Sequence, residues 1–286
     1  MKRKISDALK IAGVCDFGVV RARIFEEFLP IISNRGEVSL CERVAERRVN
    51  PFFTYPFAKS IIVCLFNYHS GENGVISEYA LGEDYHIVIK NRLMPVLELF
   101  KNNGYQAESF VDNSPFSERH LAYLAGLGFF GMNGMLINKE FGSKVFIVGI
   151  VTDCELKEDS PIDNDICMQC KKCIEACPGG AIGENFEFNE NKCASFLTQK
   201  KGELTKEEEN IIKKSGYIWG CDGCQNVCPY NYSQKHTNIH EFMKRDNSFT
   251  DINENMTNSQ FKNLFGDRAY SWRGKGVLIR NMKIFK

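Results

Sequence analysis

The sequence predicts a sheet covered by helices, an α/β (α+β) fold, over residues 1–155, followed by a short-looped, cysteine-rich unit. Three observations carry this. Apolar runs of strand character alternate with segments of helical period up to Val151. After Thr152 the texture changes to short polar pieces. Eight of the twelve cysteines then fall between positions 167 and 228.

Taken in order, residues 5–12 read as a helix and Phe17 to Val20 as a short strand. Ile24 to Ile32 is amphipathic and reads as a second helix. Ser60-Ile61-Ile62-Val63-Cys64-Leu65-Phe66 is a buried-strand pattern, and 84–102 carries apolar positions at helical spacing. Ala107 to Val111 reads as a strand, Ser117 to Ala125 as a helix, and Lys144 to Val151 as a closing strand. Such alternation suggests a sheet with helical cover, although strand order is not legible. Asp153 to Asp165 is the expected connection. Thr205-Lys206-Glu207-Glu208 has the capping-box form and starts a helix to Lys214. The expected units are therefore 1–155, 156–240 and a basic helical segment, 241–286.

At 286 residues, 43% hydrophobic and 25% charged, the composition excludes wholesale disorder. No apolar run approaches the roughly 18 residues that cross a bilayer. The basic start, Met1-Lys2-Arg3-Lys4, leads into no apolar signal core, so the expected location is cytoplasmic, away from membranes. A net charge of zero gives no global field for a polyanion. Twelve cysteines in such a chain point to metal or redox chemistry rather than disulfides. Cys15, Cys41, Cys64 and Cys154 stand apart and read as small core hydrophobes.

Cys167-Met168-Gln169-Cys170-Lys171-Lys172-Cys173-Ile174-Glu175-Ala176-Cys177-Pro178 is the C-x2-C-x2-C-x3-C-P run of two-cluster ferredoxins. Closely spaced thiolates let one loop wrap three corners of a cubane, and Pro178 stops the turn. Structural zinc also takes four cysteines, but usually as two separated pairs. The second run, Cys221-Asp222-Gly223-Cys224-Gln225-Asn226-Val227-Cys228-Pro229, lacks one cysteine, and Cys193 is the remaining thiol of the region. In ferredoxins the last cysteine of each run serves the other cluster. The expected sets are thus Cys167, Cys170, Cys173 and Cys228 for one 4Fe–4S cluster, and Cys177, Cys193, Cys221 and Cys224 for the other. The second unit is accordingly read as a ferredoxin-like double 4Fe–4S domain, a relay that must deliver electrons to something.

Several segments, in this order around the cluster motif, resemble the epoxyqueuosine reductase family along essentially the whole chain. They are Glu46-Arg47-Arg48-Val49-Asn50-Pro51, Gly82-Glu83-Asp84-Tyr85-His86 and Val111-Asp112-Asn113-Ser114-Pro115-Phe116-Ser117-Glu118-Arg119. Further on come Ala125-Gly126-Leu127-Gly128-Phe129, Cys193-Ala194-Ser195-Phe196-Leu197-Thr198, Gly220 to Gln225, Ser271-Trp272-Arg273-Gly274-Lys275 and Arg280-Asn281. The resemblance implies base-off cobalamin between the two units and reduction of epoxyqueuosine to queuosine in tRNA, the last step of queuosine synthesis. The absence of a D-x-H-x-x-G motif agrees with a cobalt that takes no protein imidazole.

Deoxygenating an epoxide to an alkene takes two electrons and two protons and releases water, so an acid must protonate the oxygen. By the family motif Asp112 is that acid. Read alone, Asp112-Asn113-Ser114-Pro115 is a turn with Asp112 as its cap. Arg48, Ser195 and Asp222 are carried over with Asp112 as cobalamin or near-cluster contacts; their ordinary roles would be a surface salt bridge, a turn cap and a loop carboxylate. Glu118 and Arg119 read as an ion pair opening a helix. Tyr85 and His86 either line the pocket or begin a helix.

The chain departs from the family at Gly131-Met132-Asn133-Gly134, where a lysine usually stands in place of Met132. Met132 would set an apolar group where a cation faced cofactor or substrate. Many relatives also continue past the position of Lys286 into helical repeats. Between Lys262 and Lys286, seven basic residues (Lys262, Arg268, Arg273, Lys275, Arg280, Lys283, Lys286) stand against Asp267, with Tyr270 and Trp272 between them. That pattern suits RNA, through phosphate contacts and base stacking, or a solvated helix. The expected partners are tRNA bearing epoxyqueuosine and an electron donor such as ferredoxin or flavodoxin, with the chain a monomer. The rival readings are a reductase of the same build acting on a small molecule, as in reductive dehalogenation, a ferredoxin-like electron carrier, and an RNA-binding scaffold with structural clusters.

Overall fold

The computed structural model describes residues 1–34, 42, 44–112, 114–162, 166–243 and 249–286. Cys41 and Asn113 lie outside the described residues. The first part runs α1 (Lys2–Ala12), β1 (Asp16–Arg21), α2 (Leu29–Asn34), α3 (Ala45–Val49), β2 (Ser60–Asn67), α4 (Tyr85–Asn102) and β3 (Ala107–Val111). It continues through α5 (Glu118–Leu124), β4 (Phe129–Phe130), β5 (Leu136–Ile137) and β6 (Val145–Thr152). Then come α6 (Lys172–Glu175), α7 (Ala194–Gln199), α8 (Lys206–Ser215), α9 (Gly223–Asn226), α10 (Asn258–Phe265) and α11 (Lys275–Lys283).

The main sheet has the order β1-β2-β6-β3 and every neighbouring pair is antiparallel. Its spine is β2 against β6, in register from Ser60↔Thr152 to Asn67↔Val145. Every residue of β2 is buried, because its two faces meet two helical layers. Ile62, Cys64 and Phe66 pack with Leu9 of α1 and Leu93 of α4. Ile61, Val63 and Leu65 pack with Phe28 and with Leu121 of α5. Side chains alternate across a strand, so a continuous apolar run is what two-sided burial demands. Gly149 of β6 is required by its neighbour: a Cβ there would lie 2.0 Å from the Phe110 ring.

One expected helix is divided. The amphipathic stretch Ile24 to Ile32 forms a 3-10 turn, Glu26–Phe28, before α2 begins at Leu29. Pro30 explains the break, since a residue without N–H fits only the first turn of a helix. Other boundaries follow local chemistry. The Asp84 side chain accepts from the His86 amide to start α4. Thr205 and Glu208 form the expected capping box of α8, which Gly216 ends at φ 74°.

The cysteine-rich part docks on the sheet through buried polar contacts. The Ser143 amide donates to Asn231 Oδ1 at 2.8 Å, the Asn231 amide returns a bond to Ser143 Oγ at 2.9 Å, and Asn67 donates to the Lys235 carbonyl at 2.8 Å. Residues after 249 join the same body: Phe261, Phe265, Tyr270 and Leu278 share a core with Ile76, Ala80 and Trp219. Among the described residues no helix is long and apolar enough to cross a membrane.

Candidate active site

The thiols sort into two groups. Cys167, Cys170, Cys173 and Cys228 line one small cavity with Met132 and Tyr230. In the second group, burial pushes the Cys224 thiol up, and Cys221, Cys193 and Cys177 push it further. Burial raises Cys221 to about 12, with Cys193 and Cys177 adding to it. Burial raises Cys228 too, but its thiol neighbours are Cys167 and Cys170. The last cysteine of each run therefore stands with the other run. Cys173 also acts on Cys224, so the groups are neighbours.

Backbone geometry makes the first loop wrap. Gln169 and Lys171, between the cysteines, adopt φ 52° and 60°, left-handed conformations that cost of order 1–3 kcal/mol each when held by their surroundings. At the second group, Cys193 caps α7, and the Ser195 and Phe196 amides point at its thiol, opposing the rise that burial causes. Among the described residues no three His, Cys, Asp or Glu side chains close on a single ion. Cys167, Cys170, Cys173 and Cys228 stand around one small volume, the placement that the corners of a cubane require.

Asp222, next to Cys221, is 3% exposed, and both carboxylate oxygens accept hydrogen bonds within the protein. Ser77 Oγ donates to one and the Glu78 amide to the other, at 2.7 Å for the amide. A side chain so held clamps the Cys221 loop to residues 77–78, beside the second group of thiols. Burial pushes its carboxyl up, against the pull of those two donors. Glu78 beside it pairs with Lys144 Nζ at 2.6 Å and His69 Nδ1 at 3.0 Å, and accepts from the Gly71 amide. Burial would raise Glu78, but His69 and Lys144 outweigh it and hold the carboxyl at about 2. Ser195 likewise serves Cys193 and does not line the cavity described next.

That cavity, of about 820 Å³, is lined by Arg48, Asp112, Ser114, Glu118, Arg119 and Phe130 among others. Asp112 directly follows β3 in a left-handed conformation, φ 48°, which a short polar residue tolerates. Its carboxylate accepts the Tyr85 hydroxyl at 2.5 Å and has His86 Nε2 at 3.7 Å. Tyr85 lies flat on Phe146, ring centroids 4.2 Å apart, and His86 Nδ1 sits 2.7 Å from Asp84. Tyr85 and His86 thus open α4 and hold Asp112 at once. Arg48 Nε is buried with no partner within the described protein, an orphaned donor that an amide or phosphate oxygen of a ligand would satisfy.

Sequence reasoning missed Glu118 as a cavity group. Ser114 Oγ donates to Glu118 at 2.7 Å, and Arg119, whose charge also acts on Glu118, donates to the Gly134 carbonyl. Met132 is 6% exposed and lines the first thiol cavity; it is not among the residues lining the cavity of Asp112. Phe130 lines the larger cavity and Gly131 and Met132 the thiol cavity, so one turn after β4 backs onto both.

The basic tail is only in part available to RNA. Arg268 is 2% exposed and donates to the Leu81 and Gly82 carbonyls at 3.2 and 3.0 Å. Arg280 donates to the Lys200 and Gly202 carbonyls at 2.7 Å, and Tyr270 is buried. Carbonyls at turn ends need donors, and a guanidinium supplies several. Lys262, Lys283, Lys286 and Trp272 are exposed, with the Arg273 guanidinium 3.8 Å from the Trp272 ring centre.

Comparison with known proteins agrees with this arrangement. Residues 166–231 match the family described as a 4Fe-4S double cluster binding domain. Residues 48–113 match the one described as Epoxyqueuosine reductase QueG, DUF1730. A curated epoxyqueuosine reductase of Cyclobacterium marinum is 32% identical over 90% of this chain and 88% of its own length. A crystal structure of epoxyqueuosine reductase with an epoxyqueuosine-modified tRNA-Tyr stem loop superposes with TM-score 0.91 at 30% identity, over 99% of this chain and 80% of that one. A Bacillus subtilis epoxyqueuosine reductase, described with its catalytic aspartate loop swung out of the active site, gives 0.88 at 30% identity over the same shares. Sharing this fold and a third of its residues with such enzymes over nearly its whole length, the chain belongs to the epoxyqueuosine reductase family of iron–sulfur oxidoreductases.

Proposed function

We propose that the chain reduces epoxyqueuosine to queuosine in tRNA, with base-off cobalamin and two 4Fe–4S clusters. The observation that carries this reading is the cavity shared by Asp112 and the unpartnered Arg48 Nε, backed through the turn after β4 by the first group of thiols. Cys167, Cys170, Cys173 and Cys228 would hold one cluster and Cys177, Cys193, Cys221 and Cys224 the other. Bound cobalamin would supply a reduced cobalt as the electron-rich partner of the epoxide carbon, refilled by single electrons from the clusters. Asp112 delivers a proton to the departing oxygen, and Tyr85 keeps its carboxyl aimed. Arg48 anchors a polar arm of the ligand. Met132 faces the thiols, so its departure from the family pattern bears on a cluster and leaves tRNA as the substrate. A soluble donor of ferredoxin or flavodoxin type would recharge the relay, in a cytoplasmic monomer.

The test is nucleoside analysis of tRNA from a strain whose only such gene is deleted. Epoxyqueuosine should accumulate, and return of the wild-type chain, but not of Asp112→Asn, should restore queuosine. Full queuosine in the deletion strain contradicts the reading.

A further inference from the structure

The reaction consumes two protons, and a single carboxyl carries one. Asp112 directly follows β3, and two residues later Ser114 donates to Glu118 at 2.7 Å. Both carboxyls line the same cavity. We propose that Glu118 supplies the second proton, passing it to the Asp112 carboxylate after Asp112 has protonated the departing oxygen. This inference rests on the reading of the chain as an epoxide reductase.

The balance is as follows. The substrate epoxide takes two electrons, delivered singly from the external donor through the relay, and both C–O bonds break to leave the alkene. Asp112 gives the first proton to the oxygen. Glu118 recharges Asp112, which gives the second, and water departs. Glu118 and the exposed Asp112 then each regain a proton from solvent through the open cavity, two protons per turnover.

The surroundings suit a carboxyl that is still protonated at neutrality. Burial pushes Glu118 up to about 8; the Asp112 charge adds to this, while Ser114 and Arg119 oppose it. Among the described residues, the other charged or titratable groups on the cavity wall are Glu42, Arg47 and Arg48 from the α3 side and His120 one turn along α5. The departing oxygen sets the direction of transfer, since an alkoxide or hydroxide is a far stronger base than either carboxylate and takes up both protons.

The test uses the cluster- and cobalamin-loaded protein with an epoxyqueuosine-bearing stem loop. Wild-type kcat should fall above pH about 8. Glu118→Gln, which keeps an acceptor for Ser114, should lower kcat about tenfold to a hundredfold at pH 7 and abolish that descending limb with KM unchanged. Ser114→Ala removes a bond that favours the charged form, so it should move the limb to higher pH. Glu118→Gln with wild-type kcat and limb, or a uniform loss that leaves the limb in place, overturns the proposal. Infrared difference spectra of the loaded protein, wild type minus Glu118→Gln, should show a protonated carboxyl titrating near the same pH without turnover. Its absence also overturns the proposal, whereas wild-type protein inactive on the stem loop overturns the functional reading on which the step rests.

Discussion

The Tyr85 hydroxyl donates to the Asp112 carboxylate at 2.5 Å, across 27 residues of sequence. Burial pushes the Tyr85 phenol far up, and the Asp112 charge pushes it further. Tyr85 therefore stays a donor at every working pH. The contact fixes one rotamer of a carboxylate that is otherwise exposed.

Asp112→Asn should fold, keep both clusters and bind corrin, yet lose about 10²–10⁴ in kcat, the usual worth of a positioned acid. Single-turnover kinetics beside iron and corrin counts check this. Full activity would remove Asp112 from the acid role.

Tyr85→Phe keeps the stack on Phe146 and deletes only the hydroxyl. A hydrogen bond to a charged group is worth about 1.5–3 kcal/mol, so kcat should fall about tenfold to a hundredfold while KM for tRNA stays put. A KM effect alone would assign Tyr85 to binding.

Asp222→Ala leaves Ser77 Oγ and the Glu78 amide without their acceptor in a buried place. Each orphaned donor costs about 1–3 kcal/mol. The clamp lies beside Cys221, so iron should drop toward half while the first cluster survives, as read by iron analysis and electron paramagnetic resonance. Full iron with lost corrin would assign Asp222 to the corrin.

Glu78, held at about 2 in the fold against the ordinary glutamate value of 4.5, makes stability acid-sensitive. The folded state favours its charged form, so the stabilisation is fully present above pH about 4.5 and is lost as pH falls toward 2. The amount is about 3 kcal/mol. Denaturation midpoints of wild type and Glu78→Gln should converge over that range. Parallel curves would show that Glu78 carries no such linkage.

The cysteine grouping was legible because a cubane imposes its spacing on the chain. The buried run at β2 was legible because two-sided burial removes polar residues. What stayed hidden depends on distant partners. Strand order rests on β2 meeting β6 across some 80 residues of chain, and Asp222 finds Ser77 145 positions away. Arg268 and Arg280 look like RNA contacts until the carbonyls that consume them are seen. Glu118 reads in sequence as half of an ion pair, because the burial that dominates its character comes from distant packing rather than from Arg119 beside it.

The most direct measurement is a single anaerobic turnover. Protein loaded with both clusters and cobalamin, then chemically reduced, is mixed with tRNA bearing epoxyqueuosine, and the nucleoside is weighed by mass spectrometry. The account predicts loss of one oxygen atom from the base, dependent on corrin. Unchanged epoxyqueuosine from fully loaded, fully reduced protein, or equal conversion without corrin, would contradict it.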